Sequence, residues 1–125
     1  MDADEMTRIF GLIGVPSSAG AHYPGQEKAP AALRRAGLAT RLAGAGISIL
    51  DYGDLPSKCC RVDPTTRNID RIADVRTVAA NVAASVEKIV SAQQTPLVIG
   101  GDCTITIGVV AALVGSQPEL AWMAD

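Results

Sequence analysis

The 125-residue sequence has few aromatic residues, little excess charge and almost no histidine. Aromatic side chains make up 3% of it, so a core must be built from the alanine, valine, isoleucine and leucine of its 48% hydrophobic content. A net charge of −2 and a pI near 5.3 argue against the basic surface that binds nucleic acids or anionic membranes. We therefore expect neither partner.

Long hydrophobic runs are also missing, because no stretch reaches the roughly 18 apolar residues of a transmembrane helix. The first residues, Met1–Glu5, are acidic where a secretory signal peptide carries positive charge. These two features predict a cytoplasmic protein. The three cysteines, Cys59, Cys60 and Cys103, lack a CxxC spacing, which favours reduced thiols over a disulfide framework.

Apolar, β-prone segments alternate with helix-forming segments along the chain. The predicted strands are Arg8–Val15, Ile47–Tyr52, Leu97–Ile99 and Leu120–Met123. The predicted helices are Pro30–Ala43, Asn68–Gln93 and Thr104–Val114. This alternation predicts one α/β domain over residues 1–125, with three α-β-α layers around a mainly parallel sheet. Because the last strand has no helix after it, we expect the domain to be incomplete at its C-terminus.

Three local features complete the predicted scaffold. An apolar stripe on the helix Asn68–Gln93 should pack against the sheet. The charged Arg34 and Arg35 should lie on a solvated helix face, and Asp51 and Asp54 should serve the turn around Gly53. The stripe consists of Ile69, Ile72, Val75, Val78 with Ala79, Val82, Val86, and Ile89 with Val90.

The segment Leu97–Thr104 carries the candidate chemistry. An apolar strand ends at two glycines and is followed by Asp102 and Cys103. Ligands of open α/β sheets bind at the carboxyl ends of the strands, so these two residues should lie at the mouth of a cleft. Asp102 either caps the following helix or orients a neighbouring ligand.

Several segments in order resemble one enzyme family. The sequence PLVIGGDCTITIG resembles the Gly-Gly-Asp-His-Ser segment of the ureohydrolases, which include arginase, agmatinase and formimidoylglutamase. The sequences IFGLIGVPSSAGAHYPGQEKAPAALRRAGL and ISILDYGDLP are similar to the opening and the second strand of that family. The resemblance implies the N-terminal half of an arginase-like fold. It also implies metal-dependent hydrolysis of non-peptide C–N bonds in linear amidines or guanidino compounds, with Mn²⁺ as cofactor and a homo-oligomeric state.

The resemblance further implies where metal ligands lie. Cys103 stands at the position of the family's first metal-binding histidine, and Asp125, or else Ala124, aligns with the next ligand. The later histidine and aspartates of the family have no counterpart within the 125 residues. The resemblance therefore predicts a truncated product that is inactive alone. The alternative is a non-catalytic scaffold or interaction module derived from the family.

Two other interpretations of Cys103 are open. It is either a buried, inert cysteine that packs as a small apolar side chain, or a reactive thiol activated near a helix N-terminus. A nucleophilic cysteine normally needs a base, and His22 is the only histidine in the sequence. Nothing in the sequence places His22 beside Cys103.

Overall fold

The computed structural model of the protein describes residues 8–62 and 67–116. These residues contain a three-stranded sheet in the order β2-β1-β3. Both strand pairs are parallel, as the sequence predicted. The strands are β1 (Ile9–Val15), β2 (Ser48–Asp54) and β3 (Thr95–Gly100). Because all three run the same way, their carboxyl ends meet at one edge of the sheet. The predicted fourth strand, Leu120–Met123, lies outside the described residues.

The helices follow the predicted alternation, but two predictions need correction. The segment Pro30–Ala43, predicted as one helix, forms two, because Gly37 adopts a left-handed φ of 88° that ends the first and begins the second. Single 3₁₀ turns cover Gln26–Lys28 and Cys103–Ile105, so the last helix begins slightly later than predicted. The α-helices are α1 (Ala29–Arg35), α2 (Leu38–Gly44), α3 (Arg67–Ser91) and α4 (Thr106–Ser116).

The two faces of β1 identify the layers. Gly11 points toward α3, where an added Cβ would lie 2.9 Å from Ile89 Cγ1. Gly14 points the opposite way, toward α1, where an added Cβ would lie 3.0 Å from Pro30 Cβ. Helices therefore cover both faces of the central strand, and the predicted three-layer α-β-α arrangement is confirmed.

The main core lies between the sheet and the second half of α3, where Val82, Val86 and Ile89 are fully buried. The predicted stripe is wrong for the first turns of α3, because Ile69 is 79% and Ile72 is 69% exposed. The physical reason is the position of α4. It packs closely on α3 only farther along, where Gly108 meets the Ala79 carbonyl and the Val82 side chain.

Strand β2 continues through residues that were predicted to form a turn. Its register against β1 shifts, since Leu12 pairs with Asp51 whereas Gly14 pairs with Asp54. The extra residue in β2 is a bulge, and Gly53 within it has a φ of 82° that a residue with a side chain rarely adopts. The bulge allows Asp51 and Asp54, three positions apart, to face the same helix.

The connection after β2 is attached to α3 by charge. Asp74, a buried residue of α3, accepts a hydrogen bond from Arg61 Nε at 2.7 Å and lies 3.3 Å from Lys58 Nζ. The hydrogen bond from Arg61, more than the nearby Lys58, lowers the pKa of Asp74. Of the helices in the described residues, none has the length and hydropathy needed to cross a membrane.

Candidate functional site

The candidate site lies where the chain changes direction around β1. The connection from β1 to β2 passes through α1 and α2 on one face of the sheet, and the connection to β3 passes through α3 on the other. The loops that follow β1 and β3 therefore leave the sheet toward opposite faces. In open α/β sheets, a switch in direction of this kind marks the crevice where ligands usually bind, at the carboxyl ends of the two strands.

Backbone atoms of the two loops come into direct contact at this point. A Cβ on Gly101 would overlap the Ser17 carbonyl oxygen and would lie 2.9 Å from Val15 O. The amide of Asp102 donates a hydrogen bond to Ser17 O at 2.9 Å. Only glycine fits at position 101, because any side chain would strike the backbone of the neighbouring loop.

Asp102 lies at the centre of the contact and is only 5% exposed. Its Oδ1 accepts hydrogen bonds from the Thr104 amide, at 2.8 Å, and from the Thr104 hydroxyl. Its Oδ2 accepts from the Gly20 amide at 3.1 Å, across the crevice. The predicted capping role is therefore confirmed for the 3₁₀ turn Cys103–Ile105. The sequence did not reveal the second bond to Gly20.

Cys103 is the first residue of that 3₁₀ turn, and its side chain is exposed at the carboxyl edge of the sheet. The interpretation of Cys103 as a buried, inert residue is therefore wrong. The helix begins with a tight turn that the buried Asp102 caps, and this turn leaves the next side chain toward solvent. Cys103 as a metal ligand, or as a reactive thiol, stays a prediction.

The described residues by themselves do not fit a two-manganese centre. No group of three histidine, cysteine, aspartate or glutamate side chains converges among residues 8–62 and 67–116. Two metals need on the order of six protein ligands. Asp102 is already occupied by amide and hydroxyl donors, and a thiolate at Cys103 suits softer ions than manganese. The other predicted ligand, Asp125, lies outside the described residues.

Two serines after β1 form a part of this edge that the sequence did not indicate. Ser17 and Ser18 are buried, and the Ser17 hydroxyl accepts a hydrogen bond from the Ala19 amide at 3.1 Å. The Ser18 hydroxyl accepts from the Cys60 amide at 2.8 Å. The first bond lies within the loop after β1, and the second fixes this loop against the connection after β2. The two consecutive serines after Pro16 were the only signal, and it does not distinguish a buried loop from an exposed one.

Glu27 extends this cluster toward solvent. Its Oε2 accepts a hydrogen bond from the Gly25 amide at 2.7 Å, and its Oε1 lies 3.6 Å from the Cys59 sulfur. The Gly25 amide first, and the Ser18 hydroxyl next, lower the pKa of Glu27 to about 2. Cys59 and Cys60 are both free thiols, in agreement with the sequence.

A second carboxylate corner closes β2. Arg34 of α1 was predicted to be solvated, but its Nε donates to Asp54 Oδ1 at 2.9 Å and its Nη1 donates to Asp51 Oδ2. Asp51 Oδ1 also accepts the Gly53 amide at 2.8 Å, so the predicted turn chemistry coexists with the ion pair. The hydrogen bond from Arg34 is the main cause of the lowered pKa of Asp51.

A parallel sheet with helices on both faces defines this chain as an α/β protein. A family model described as the Arginase family matches residues 8–122, so the chain belongs to the arginase family. The predicted relation to the N-terminal half of the ureohydrolases is confirmed.

Individual relatives agree with this assignment. Human Arginase-1 is 31% identical over 114 residues, which cover 91% of this chain and 35% of that protein. Arginase of Bacillus caldovelox is 36% identical over 114 residues, which cover 87% of this chain and 37% of that protein. The chain therefore spans little more than a third of the length of the curated relatives that it matches.

Solved structures agree as well. The arginase structure from Bacillus subtilis matches with a TM-score of 0.71 at 29% identity, covering 87% of this chain and 35% of that one. The arginase structure from Bacillus caldovelox matches with a TM-score of 0.70 at 30% identity, covering 88% of this chain and 38% of that one. The arginase-like fold predicted from the sequence is thus confirmed for the part of the fold that this chain spans.

Proposed function

We propose that the protein serves metal-dependent hydrolysis of non-peptide C–N bonds in linear amidines, with the carboxyl edge of β1 and β3 as the floor of the site. Membership of the arginase family supports the reaction class. The observation that carries the proposal is the exposed thiol of Cys103 at the switch-point crevice, where the family resemblance places the first metal ligand.

Under this proposal, the described residues supply only some of the metal ligands of the site. The described residues supply the rigid floor and one soft donor, Cys103. Apart from Asp125, the other donors of the family's site fall in the part of the relatives that this chain does not span. A thiolate at the first position favours Zn²⁺ or Co²⁺ over the Mn²⁺ expected of the family.

Cobalt absorption tests the Cys103 assignment. Thiolate coordination of Co²⁺ produces a ligand-to-metal charge-transfer band, which we expect when the reduced 125-residue chain is titrated with Co²⁺. The band should disappear in Cys103→Ala and persist in Cys59→Ala, the matched control that removes the other exposed thiol. A band that depends on Cys59, or no band, would contradict the assignment.

An assay of hydrolysis tests the share that the chain contributes. With one donor among the described residues, the 125-residue chain should release no urea or ammonia from arginine or agmatine above the Cys103→Ala background. The assay should include Mn²⁺, Zn²⁺ and Co²⁺ in turn. Turnover by the wild-type chain that Cys103→Ala abolishes would show that far fewer donors suffice.

One observation favours the alternative function, an interaction module that assembles with a second copy of itself. Helix α4 contains no charged residue, and on its outer face Ile107 is 55% and Val110 is 49% exposed. Exposed apolar patches of this kind often mark interfaces. Sedimentation of the chain should then show a dimer that Val110→Lys dissociates, whereas a monomer at all concentrations would remove this alternative.

A further inference from the structure

We propose that Asp102 is a positioning residue: its buried carboxylate joins the loop after β1 to the corner after β3 and so fixes the direction in which Cys103 faces. The joint links residues 82 positions apart, since the Gly20 amide donates to Asp102 Oδ2 at 3.1 Å. The joint itself is inferred from the hydrogen bonds of Asp102 to Gly20 and Thr104. Its service to a metal or substrate at Cys103 rests on the proposed function.

The need for a joint follows from the topology. The loop after β1 continues to α1 on one face of the sheet, and the corner after β3 continues to α4 on the other. The two segments are therefore held together by contacts between them, which include the backbone bond from the Asp102 amide to Ser17 O and the bond from the Gly20 amide to the Asp102 carboxylate. The same divergence that opens a crevice for a ligand would also let its two walls separate. Asp102 bridges the walls at the point where they diverge.

The donors around Asp102 call for a carboxylate. Both oxygens accept hydrogen bonds, from Gly20 on one side and from the amide and hydroxyl of Thr104 on the other. Asparagine would present an NH₂ group to one of these donors and would leave a backbone amide unpaired in a buried place. With both oxygens engaged and 5% of the residue exposed, Asp102 is poorly placed to coordinate a metal directly.

The glycines on either side of the joint agree with this role. A Cβ on Gly20 would overlap Thr104 Cγ2 and would lie 2.8 Å from Thr104 Oγ1. A Cβ on Gly101 would overlap the Ser17 carbonyl. The loop and the corner therefore approach to backbone distance on both sides of Asp102, and a small shift of one moves the other.

Hydrogen exchange on the full 125-residue chain tests the joint. In Asp102→Asn, amides of residues 17–20 and 101–104 should exchange about tenfold faster, while those in the second half of α3 stay unchanged. Asp51→Asn is the matched control, because Asp51 also binds an amide but lies at the other corner. Thr104→Val should loosen the corner alone, since the bond to Gly20 remains.

The orientation of Cys103 gives the functional readout. In a Cys59→Ser background, the alkylation rate of Cys103 should change by about threefold or more in Asp102→Asn and not in Asp51→Asn. A loss of stability that left the direction of Cys103 unchanged would not alter the alkylation rate, because Cys103 is already exposed in the folded chain. If Asp102→Asn does not fold, the same two measurements are made on Gly20→Ala. This substitution separates Gly20 from Thr104 without altering the carboxylate of Asp102.

Two results would overturn the proposal. One is unchanged exchange at residues 17–20 in Asp102→Asn, or in Gly20→Ala where that variant decides. The other is a Cys103 alkylation rate that does not respond to either substitution. Failure of cobalt binding at Cys103, in contrast, would remove the proposed function and leave the joint intact, so the two failures are distinguishable.

Discussion

Two corners of the sheet contain aspartates beside glycine, yet they are built differently. At the end of β2, Asp51 and Asp54 form exposed ion pairs with Arg34, and their side chains are 40% and 31% exposed. At the end of β3, Asp102 is buried and binds backbone amides and a hydroxyl, and no cation of residues 8–62 and 67–116 pairs with it.

The difference shows which corner can position a site. Exposed ion pairs are weakened by solvent and salt and hold two flexible side chains, so they contribute little rigidity. A buried carboxylate that accepts amide hydrogen bonds fixes backbone to backbone, and loss of it leaves donors unpaired. The β3 corner, which presents Cys103, is the rigid one, and substitutions should affect it more than the β2 corner.

The largest effect should come from Gly101→Ala. The new Cβ would overlap the Ser17 carbonyl, which belongs to backbone and has little room to move, so unfolding free energy should fall by about 3 kcal/mol. Gly115→Ala is the control: its Cβ would meet no atom of the described residues within 4 Å, and it should stabilise α4 by up to ~1 kcal/mol. Urea denaturation measures both. Equal effects would contradict the close approach at Gly101.

Asp102→Ala should follow, with a loss of about 2–3 kcal/mol. The substitution leaves the amides of Gly20 and Thr104 without their acceptor in a buried place. Because the interaction is not between full charges, the loss should be the same at low and high salt. If high salt abolished this loss of stability, the contacts of Asp102 would behave like the exposed ion pairs of the β2 corner.

Arg34→Ala should cost less than about 1 kcal/mol. It removes both ion pairs of the β2 corner, with Asp51 and Asp54, but those carboxylates remain partly solvated. The cost should shrink further in about 1 M salt, where the screening length is only a few ångströms. A cost that equals that of Asp102→Ala would remove the distinction between the corners.

The smallest effect is the acid sensitivity of the β2 corner. Hydrogen bonding from Arg34 lowers the pKa of Asp51 below its ordinary value of 3.8, so its stabilisation is fully present above that value. The stabilisation is lost as pH falls through the lower pKa of the folded state. Asp51→Asn should therefore flatten the decline in stability below about pH 4. An unchanged acid profile would show that the ion pair is not populated in solution.

Much of the scaffold was predictable because it depends on local patterns. Short β-branched runs between helical segments gave the parallel strands, and Asp102 before Thr104 indicated a cap. The exposure of Ile69 and Ile72 was not predictable, since periodicity identifies an apolar face but not how far the covering helix reaches. The ion pairs of Arg34 depend on the bulge in β2, which a single sequence does not reveal.

The candidate site was predictable in position but not in construction. The two glycines at the end of the predicted third strand indicated that Cys103 lies at the carboxyl edge of the sheet. The bond between Asp102 and Gly20 joins loops 82 residues apart, and it depends on strand order rather than on any local motif. Long-range contacts of this kind become visible only when the strands are placed side by side.

A crystal structure of the 125-residue chain grown with Cd²⁺ would show directly whether Cys103, positioned by Asp102, binds a metal ion. Cadmium is thiophilic and gives an anomalous signal, so its position can be assigned without ambiguity. If Cys103 is a metal ligand, we expect a cadmium ion on its sulfur, beside the joint formed by Asp102 and Gly20. Cadmium bound only at Cys59, with Cys103 free, would contradict it.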